Sequence, residues 1–121
     1  MMTAPKRVLC VDDDDDTCAL LGMLLGIEGY DVVPSPTLAD AEKLLKQEHF
    51  DLIILDMKLS DGSGIEFCEK LTAAGAKAPI LFYTGNAEAP AEEAIKAGAS
   101  GILFKPVDRN TLVQTVARVT G

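Results

Sequence analysis

Short apolar runs alternate along this chain with segments in which apolar residues recur at helical spacing. Five runs have the length of buried strands, namely residues 8–11, 30–33, 52–55, 80–83 and 102–104. Pro34 and Pro36 are expected to end the second of them, because proline cannot donate to a sheet ladder. Strands that are apolar on both sides are typical of parallel sheets with two covered faces. The sequence therefore predicts an α/β fold, a doubly wound sheet of five parallel strands with helices on both faces.

Capping residues set the limits of five predicted helices. Asp14 and Asp15 are placed at the start of the first helix, Thr37 at the cap of the second, and Asp108 or Asn110 at the cap of the fifth. The helical segments are 19–27 before Gly29, 38–45, 65–71 before Gly75, a short helix from Pro90 to Ala97, and a last helix that carries Leu112 to Val119.

Length and charge narrow the classes of function. The chain has 121 residues and a formal net charge of −8. This suits one domain over residues 1–121, with a core at 6–120, and leaves no length for a separate output domain. No apolar run approaches the ~18 residues of a membrane span and the N-terminus lacks a signal-peptide pattern, so we expect a cytoplasmic protein. The negative charge disfavours direct binding to nucleic acid or to an anionic membrane.

Polar residues follow the predicted strands at the points where they end. Asp12 and Asp13 follow the first strand, Asp56 the third, Thr84 the fourth and Lys105 the fifth. In doubly wound folds these ends form one edge, where ligands bind. Crowded carboxylates repel one another and require a cation or a raised pKa, and an oxygen-only set favours Mg²⁺. A phosphoryl group suits a site that combines Mg²⁺ with a lysine, and an aspartate can act as its acceptor.

These residues occur within motifs that stand in order along the chain. The motifs are Val-Leu-Cys-Val-Asp12-Asp13-Asp14, Leu-Ile-Ile-Leu-Asp56-Met-Lys-Leu-Ser-Asp-Gly-Ser-Gly64, Ile-Leu-Phe-Tyr-Thr84-Gly and Phe104-Lys105-Pro106. With this set the chain resembles the receiver domain of bacterial two-component response regulators, over residues 6–120. The resemblance implies a flavodoxin-like strand order of 2-1-3-4-5.

The resemblance also implies the roles of the acidic residues. Asp56 matches the phosphoacceptor. Asp13 matches the residue that ligates Mg²⁺ directly, and Asp12 matches its neighbour, which completes the acidic pocket through water. Lys58 matches the position whose backbone carbonyl binds the metal. The implied metal set is Asp12, Asp13, Asp56 and the Lys58 carbonyl.

Thr84 and Lys105 match the residues that respond to the phosphoryl group. Thr84 corresponds to the hydroxyl that closes on it, and Lys105 to the lysine that pairs with one of its oxygens. The bond between Lys105 and Pro106 is usually cis in this family. The implied donors are a histidine kinase, a histidine phosphotransfer protein or a small acyl phosphate, and the protein would not be a turnover enzyme. A homodimer through the fourth helix, fifth strand and fifth helix is also implied as a possible partner state.

The sequence departs from the family pattern at three positions near the site. Ile102 stands where an aromatic residue is common, so a switch by ring rotation is not expected there. Ser60 replaces a common proline, which predicts a looser loop after Asp56. The Lys58 side chain stands where the family tunes its dephosphorylation rate, and either a longer or a shorter phosphoryl lifetime is open.

Two alternatives remain open at this point. One is a degenerate receiver that serves as a scaffold. The other is a small phosphatase of the haloacid-dehalogenase type, because Asp13-x-Asp15-x-Thr17 resembles the opening motif of those enzymes. That motif is out of register, since the nucleophile there directly follows the strand and would be Asp12.

The remaining reactive side chains are expected to be structural. Cys10, Cys18 and Cys68 show no metal-binding spacing and are predicted to be small buried residues in a reducing compartment. His49, the only histidine, is predicted to lie on the surface at the far end of the third strand.

Overall fold

The computed structural model describes residues 4–86, 88 and 90–121. Its elements are, in chain order, β1 Arg7–Val11, α1 Asp15–Ile27, β2 Asp31–Ser35, α2 Leu38–Gln47, β3 Leu52–Leu55, β4 Lys58–Leu59, β5 Gly62–Ser63, α3 Gly64–Ala73, β6 Ile80–Thr84, α4 Ala91–Lys96, β7 Gly101–Phe104 and α5 Arg109–Thr120. The N-terminal stretch 1–3, which contributed to the expectation of no signal peptide, lies outside the described residues.

Five strands form one parallel sheet in the order β2-β1-β3-β6-β7. Because β6 and β7 are the fourth and fifth of the apolar runs, this is the predicted order 2-1-3-4-5, and the fold class is confirmed. The remaining two strands, β4 and β5, form a short antiparallel hairpin that the sequence analysis did not predict.

Two apolar cores cover the two faces of the sheet. Val8 and Cys10 of β1 belong to the core beneath α1 and α5. Leu9 and Val11 belong to the core beneath α2, α3 and α4. The alternation along one strand shows why the run is apolar at every position: each side chain is buried on one face or the other.

The capping residues act largely as predicted. The Asp14 side chain accepts from the Asp16 amide at the start of α1, and Thr37 accepts from the Asp40 amide at the start of α2. Of the two candidates for α5, Asp108 is the cap. Side-chain acceptors at these positions satisfy amides that have no partner within the helix.

The expected end of the second strand was wrong. β2 continues through Pro34 to Ser35. Within the part of the chain that the structure describes, this strand lies at the edge of the sheet and pairs only with β1. An edge strand tolerates a residue that cannot donate a hydrogen bond, so the proline does not interrupt it.

The cysteines and the histidine lie where the sequence placed them. All three cysteines are free and buried. His49 is exposed and lies 3.1 Å from an oxygen of Asp51. Among the described residues, none of the helices combines the length and the apolar character needed to cross a membrane.

Candidate functional site

The carboxyl ends of four neighbouring strands bring the candidate residues to one edge of the sheet. Asp12 follows β1, Asp56 follows β3, Thr84 ends β6 and Lys105 follows β7. Backbone hydrogen bonds extend past the strand ends and fix these positions. The Asp56 amide donates to the Val11 carbonyl at 3.0 Å, and the Lys105 amide donates to the Thr84 carbonyl at 2.7 Å.

Three carboxylates converge at this edge. Asp12, Asp13 and Asp56 each offer an oxygen, and these oxygens lie within 4.8 Å of one another. Asp12 is 3% exposed, Asp56 is partly buried and Asp13 is exposed. The Asp14 amide donates to Oδ1 of Asp12 at 2.9 Å, so the turn that begins α1 also orients this buried carboxylate.

Lys105 is the cation that faces these carboxylates. Its Nζ lies 2.7 Å from Oδ2 of Asp12 and 3.6 Å from Oδ2 of Asp56. It also lies 5.4 Å from the centre of the Tyr83 ring, a contact that the sequence analysis missed. Burial lowers the pKa of Lys105, but the hydrogen bond to Asp12 and the charges of Asp56 and Asp12 outweigh it, and the net shift of the pKa is upward.

Asp56 has a raised pKa. Burial is the largest cause, and the charges of Asp12 and Asp13 act in the same direction. The charge of Lys105 and a 2.8 Å hydrogen bond from the Met57 amide to Oδ1 oppose the shift without cancelling it. The ionised form of Asp56 is therefore less stable in this site than in water, and an added cation would relieve the excess of negative charge.

The structure assigns a role to Gly64, which the sequence analysis quoted in a motif without one. A Cβ atom at this position would lie 2.0 Å from the carbonyl oxygen of Asp56. The Gly64 amide donates to the Met57 carbonyl at 2.8 Å. The start of α3 thus packs directly on the backbone of the candidate acceptor, and only glycine fits there.

The loop after Asp56 is held by two sets of contacts despite the serine at position 60. The β4–β5 hairpin pairs Lys58 with Ser63 across it. At its tip, the Asp61 carboxylate accepts from the amides of Leu38 at 2.9 Å and Ala39 at 3.1 Å. The tip is therefore fixed to the N-terminus of α2, where negative charge is favourable. A contact between such distant segments could not be read from the sequence.

Thr84 and Lys58 border one open cleft with Asp56. The cleft has a volume of about 600 Å³ and is lined by Asp56, Met57, Lys58, Leu59, Gly62, Ser63, Ile65, Thr84, Asn86 and Pro90. The Thr84 hydroxyl oxygen accepts from the Asn86 amide at 3.1 Å, which leaves the hydroxyl hydrogen unused in that bond. The Thr84 hydroxyl thus lies on the same side of the cleft as the Asp56 carboxylate.

Ile102 and the cis proline occupy their expected positions. Ile102 is partly buried and packs against the core that includes α2, α3 and α4. The peptide bond between Lys105 and Pro106 is cis.

The donor set fits a hard divalent cation. Three carboxylates offer oxygen ligands, with one lysine as the facing cation. Mg²⁺ prefers such oxygen ligands and is usually held by one or two carboxylates together with water and phosphate oxygens. The set contains none of the sulfur or imidazole ligands that would favour a softer metal.

Comparison with known proteins agrees with this fold. The family model "Response regulator receiver domain" matches residues 8–117. The transcriptional regulatory protein GlrR of Escherichia coli is 32% identical over 96% of this chain and 26% of its own length. The chemotaxis protein CheY4 of Vibrio cholerae superimposes with a TM-score of 0.87 at 31% identity, covering 96% of this chain and 99% of that one.

A third relative was solved with ligands. The response regulator TrrA of Thermotoga maritima, in complex with Mg²⁺ and BeF, gives a TM-score of 0.86 at 26% identity. The coverage is 94% of this chain and 98% of that one.

The chain belongs to the response regulator receiver domain family. The family assignment favours a receiver over the scaffold and phosphatase alternatives. The chain spans about a quarter of the length of the curated relatives it matches.

Proposed function

We propose that Asp56 accepts a phosphoryl group in a Mg²⁺-dependent transfer and that Thr84 and Lys105 then respond to the added charge. The observation that carries this proposal is the convergence of three carboxylates and one lysine at a single sheet edge. We infer that a histidine kinase or a histidine phosphotransfer protein is the physiological donor, and that a small acyl phosphate can replace it.

The transfer requires an ionised acceptor. An oxygen of Asp56 attacks phosphorus, a new P–O bond forms, and the bond from phosphorus to the donor nitrogen or acyl oxygen breaks. The electron pair of the broken bond leaves with the donor. Burial raises the pKa of Asp56 in the absence of metal, and bound Mg²⁺ would favour the ionised carboxylate that the transfer requires.

We propose that Asp12, Asp13, Asp56 and the backbone carbonyl of Lys58 hold Mg²⁺. When bound, Mg²⁺ supplies the positive charge that neutralises the carboxylates and the phosphoryl oxygens. The relative from Thermotoga maritima, solved with Mg²⁺ and BeF, supports this choice of metal. Asp13 is the exposed member of the set, and we propose that it is the ligand that an incoming cation meets first.

Lys105 and Thr84 are proposed to detect the phosphoryl group. Lys105 is already 3.6 Å from Oδ2 of Asp56, so a small movement brings its ammonium to a phosphoryl oxygen on that side chain. The Thr84 hydroxyl hydrogen is available to donate to another oxygen. The Lys105 amide donates to the Thr84 carbonyl at 2.7 Å, so a displacement of either residue is transmitted to β7, the edge strand that Lys105 follows.

Labelling with acetyl phosphate and Mg²⁺ tests the assignment. We expect the wild type to gain one phosphoryl mass and Asp56→Asn to gain none. Asp51→Asn is the matched control, because it makes the same chemical change at the opposite edge of the sheet and should be labelled like the wild type. Equal labelling of Asp56→Asn would refute the assignment, and many turnovers on an added phosphomonoester would favour the phosphatase.

We further propose a second copy of this domain as a partner of the surface formed by α4, β7 and α5. α4 packs against β7, and Ile95 and Phe104 are exposed on these two elements. Sedimentation with acetyl phosphate and Mg²⁺ should show a dimer that Phe104→Ser weakens. Met23→Ser removes another exposed apolar residue, in α1 and away from this surface, and should leave the dimer unchanged.

We expect these steps to occur in the cytoplasm, as the free, buried cysteines suggest. We also expect the protein to catalyse only its own modification, without turnover of other substrates.

A further inference from the structure

Two cysteines lie in contact beneath the acidic edge. Cys10 belongs to β1 and Cys18 to the first turns of α1, and their Sγ atoms are 3.1 Å apart. Cys10 is 1% exposed and Cys18 is 7% exposed, so both lie within the core between the sheet and α1. The third cysteine, Cys68, lies in the core on the opposite face.

We propose that Cys10 and Cys18 form a reversible disulfide under peroxide and that this bond weakens Mg²⁺ binding. A disulfide has an S–S distance of about 2.05 Å, so the two sulfur atoms must approach by about 1 Å. In reducing compartments such bonds are transient and act in redox sensing. Formation of the disulfide depends on the two thiols alone, whereas its effect on Mg²⁺ binding rests on the metal site proposed above.

The chemistry balances with hydrogen peroxide as the oxidant. Cys18, the more exposed thiol, is oxidised first: an S–O bond forms, the O–O bond breaks, and one water is released, leaving a sulfenic acid. The Cys10 sulfur then attacks the Cys18 sulfur, the S–S bond forms, the S–O bond breaks, and the hydroxyl leaves as water with the Cys10 proton. A dithiol reverses the reaction by thiol–disulfide exchange.

The segment that the disulfide closes contains two of the three metal-site carboxylates. Asp12 and Asp13 lie between the two cysteines in sequence, and Cys18 Sγ lies 3.8 Å from the Asp12 carbonyl oxygen. β1 is hydrogen-bonded on both sides, to β2 and β3, and cannot move without disturbing the sheet. We infer that side-chain rotation makes part of the approach of the sulfur atoms and that the first turn of α1 and the connecting loop, which carries Asp13, make the rest.

Comparison of the oxidised and reduced wild type tests both halves. After peroxide treatment we expect an intact mass that is lower by two hydrogens, a proteolytic peptide that links Cys10 to Cys18, and recovery of the original mass with dithiothreitol. Cys18→Ser should lose the cross-link. Cys68→Ser, the matched control, should retain it. Calorimetric titration should give a Mg²⁺ dissociation constant about tenfold higher for the oxidised protein, as expected when the contacts that orient a ligand are disturbed.

Three results would overturn the inference. They are a sulfinic acid in place of the cross-link, a cross-link that involves Cys68, and an oxidised protein whose affinity for Mg²⁺ is unchanged. A reduced protein that does not bind Mg²⁺ would instead refute the proposed metal site, and the mass measurement would then still decide whether the disulfide forms.

Discussion

The two ends of β1 carry the same nominal charge but behave in opposite ways. At the amino end, Arg7 faces Asp31 at 3.3 Å and Glu48 at 2.8 Å, and its amide donates to Asp51 at 2.8 Å. At the carboxyl end, Nζ of Lys105 lies 2.7 Å from Asp12 and 3.6 Å from Asp56, and Asp13 completes the cluster of three carboxylates. In each of these two clusters, one cationic side chain pairs with two of the three carboxylates.

The difference lies in burial and in how the carboxylates are arranged. The hydrogen bond from the Arg7 amide lowers the pKa of Asp51, outweighing the effect of burial. At the other end, burial and the neighbouring carboxylates raise the pKa of Asp56. Around Arg7 each carboxylate meets a different N–H group, namely Nε, Nη2 or the backbone amide, and is partly exposed to solvent. At the site the carboxylate oxygens converge, and Asp12 and Asp56 share the single ammonium of Lys105. Convergence and burial, rather than the number of charges, create the demand for a further cation.

Gly64→Ala should give the largest effect on stability and would show how tightly the site end is packed. The new methyl group would meet the Asp56 carbonyl at 2.0 Å, so we expect a loss of about 2–3 kcal/mol in denaturant unfolding. Gly26→Ala is the control near the amino edge, where a Cβ atom meets nothing within 4 Å. It should be neutral or stabilising by about 0.5–1 kcal/mol, since alanine is the better helix former. Equal losses for both variants would contradict this packing.

Asp13→Asn should raise the Mg²⁺ dissociation constant about tenfold, because it removes one charged ligand from the converging set. Asp31→Asn makes the same change beside Arg7 and should leave the calorimetric titration unchanged. If the two variants lost affinity to the same degree, the net charge of the protein rather than a defined site would be binding the cation.

Asp56→Asn and Asp51→Asn should change stability in opposite directions, by about 1 kcal/mol each, at neutral pH without Mg²⁺. Folding raises the pKa of Asp56, so the stability that this residue contributes is present below its unfolded pKa and is lost as the pH rises through its folded pKa. At neutral pH the ionised Asp56 therefore destabilises the fold, and replacing it with asparagine should stabilise it. The pKa of Asp51 is lowered, so its contribution is present above the unfolded pKa and is lost as the pH falls through the folded pKa. Thermal unfolding of both variants and the wild type across a range of pH would measure these changes. Changes of the same sign at neutral pH would contradict the difference between the two ends of β1.

Glu48→Gln should have the smallest effect. It breaks the 2.8 Å pair with Arg7, but both side chains are partly exposed to solvent. We expect a loss of about 0.5 kcal/mol or less, and the loss should shrink in high salt. A loss above that of Asp51→Asn would mean that the amino-end pairs act as a network.

The acidic site at the carboxyl end of β1 could be anticipated from the sequence, but the Arg7 cluster at its amino end could not. The apolar runs predicted the strands, and the parallel topology then placed Asp12, Asp56 and Lys105 at one edge, because side chains that follow parallel strands must meet there. The cluster around Arg7 was not anticipated, since exposed ion pairs depend on the rotamers of long side chains that no pattern records. The β4–β5 hairpin was missed for another reason: two residues per strand are too few to show a period.

The hydrogen bonds from Leu38 and Ala39 to Asp61 bear on the order in which the chain folds. Two of the first amides of α2 are satisfied by a residue that lies beyond the next strand. We therefore expect these two amides to bond to water until β3 and its following loop are in place. A fragment that stopped before β3 would contain all of α2 with the Thr37 cap alone, and we expect its first turn to fray more than in the whole domain.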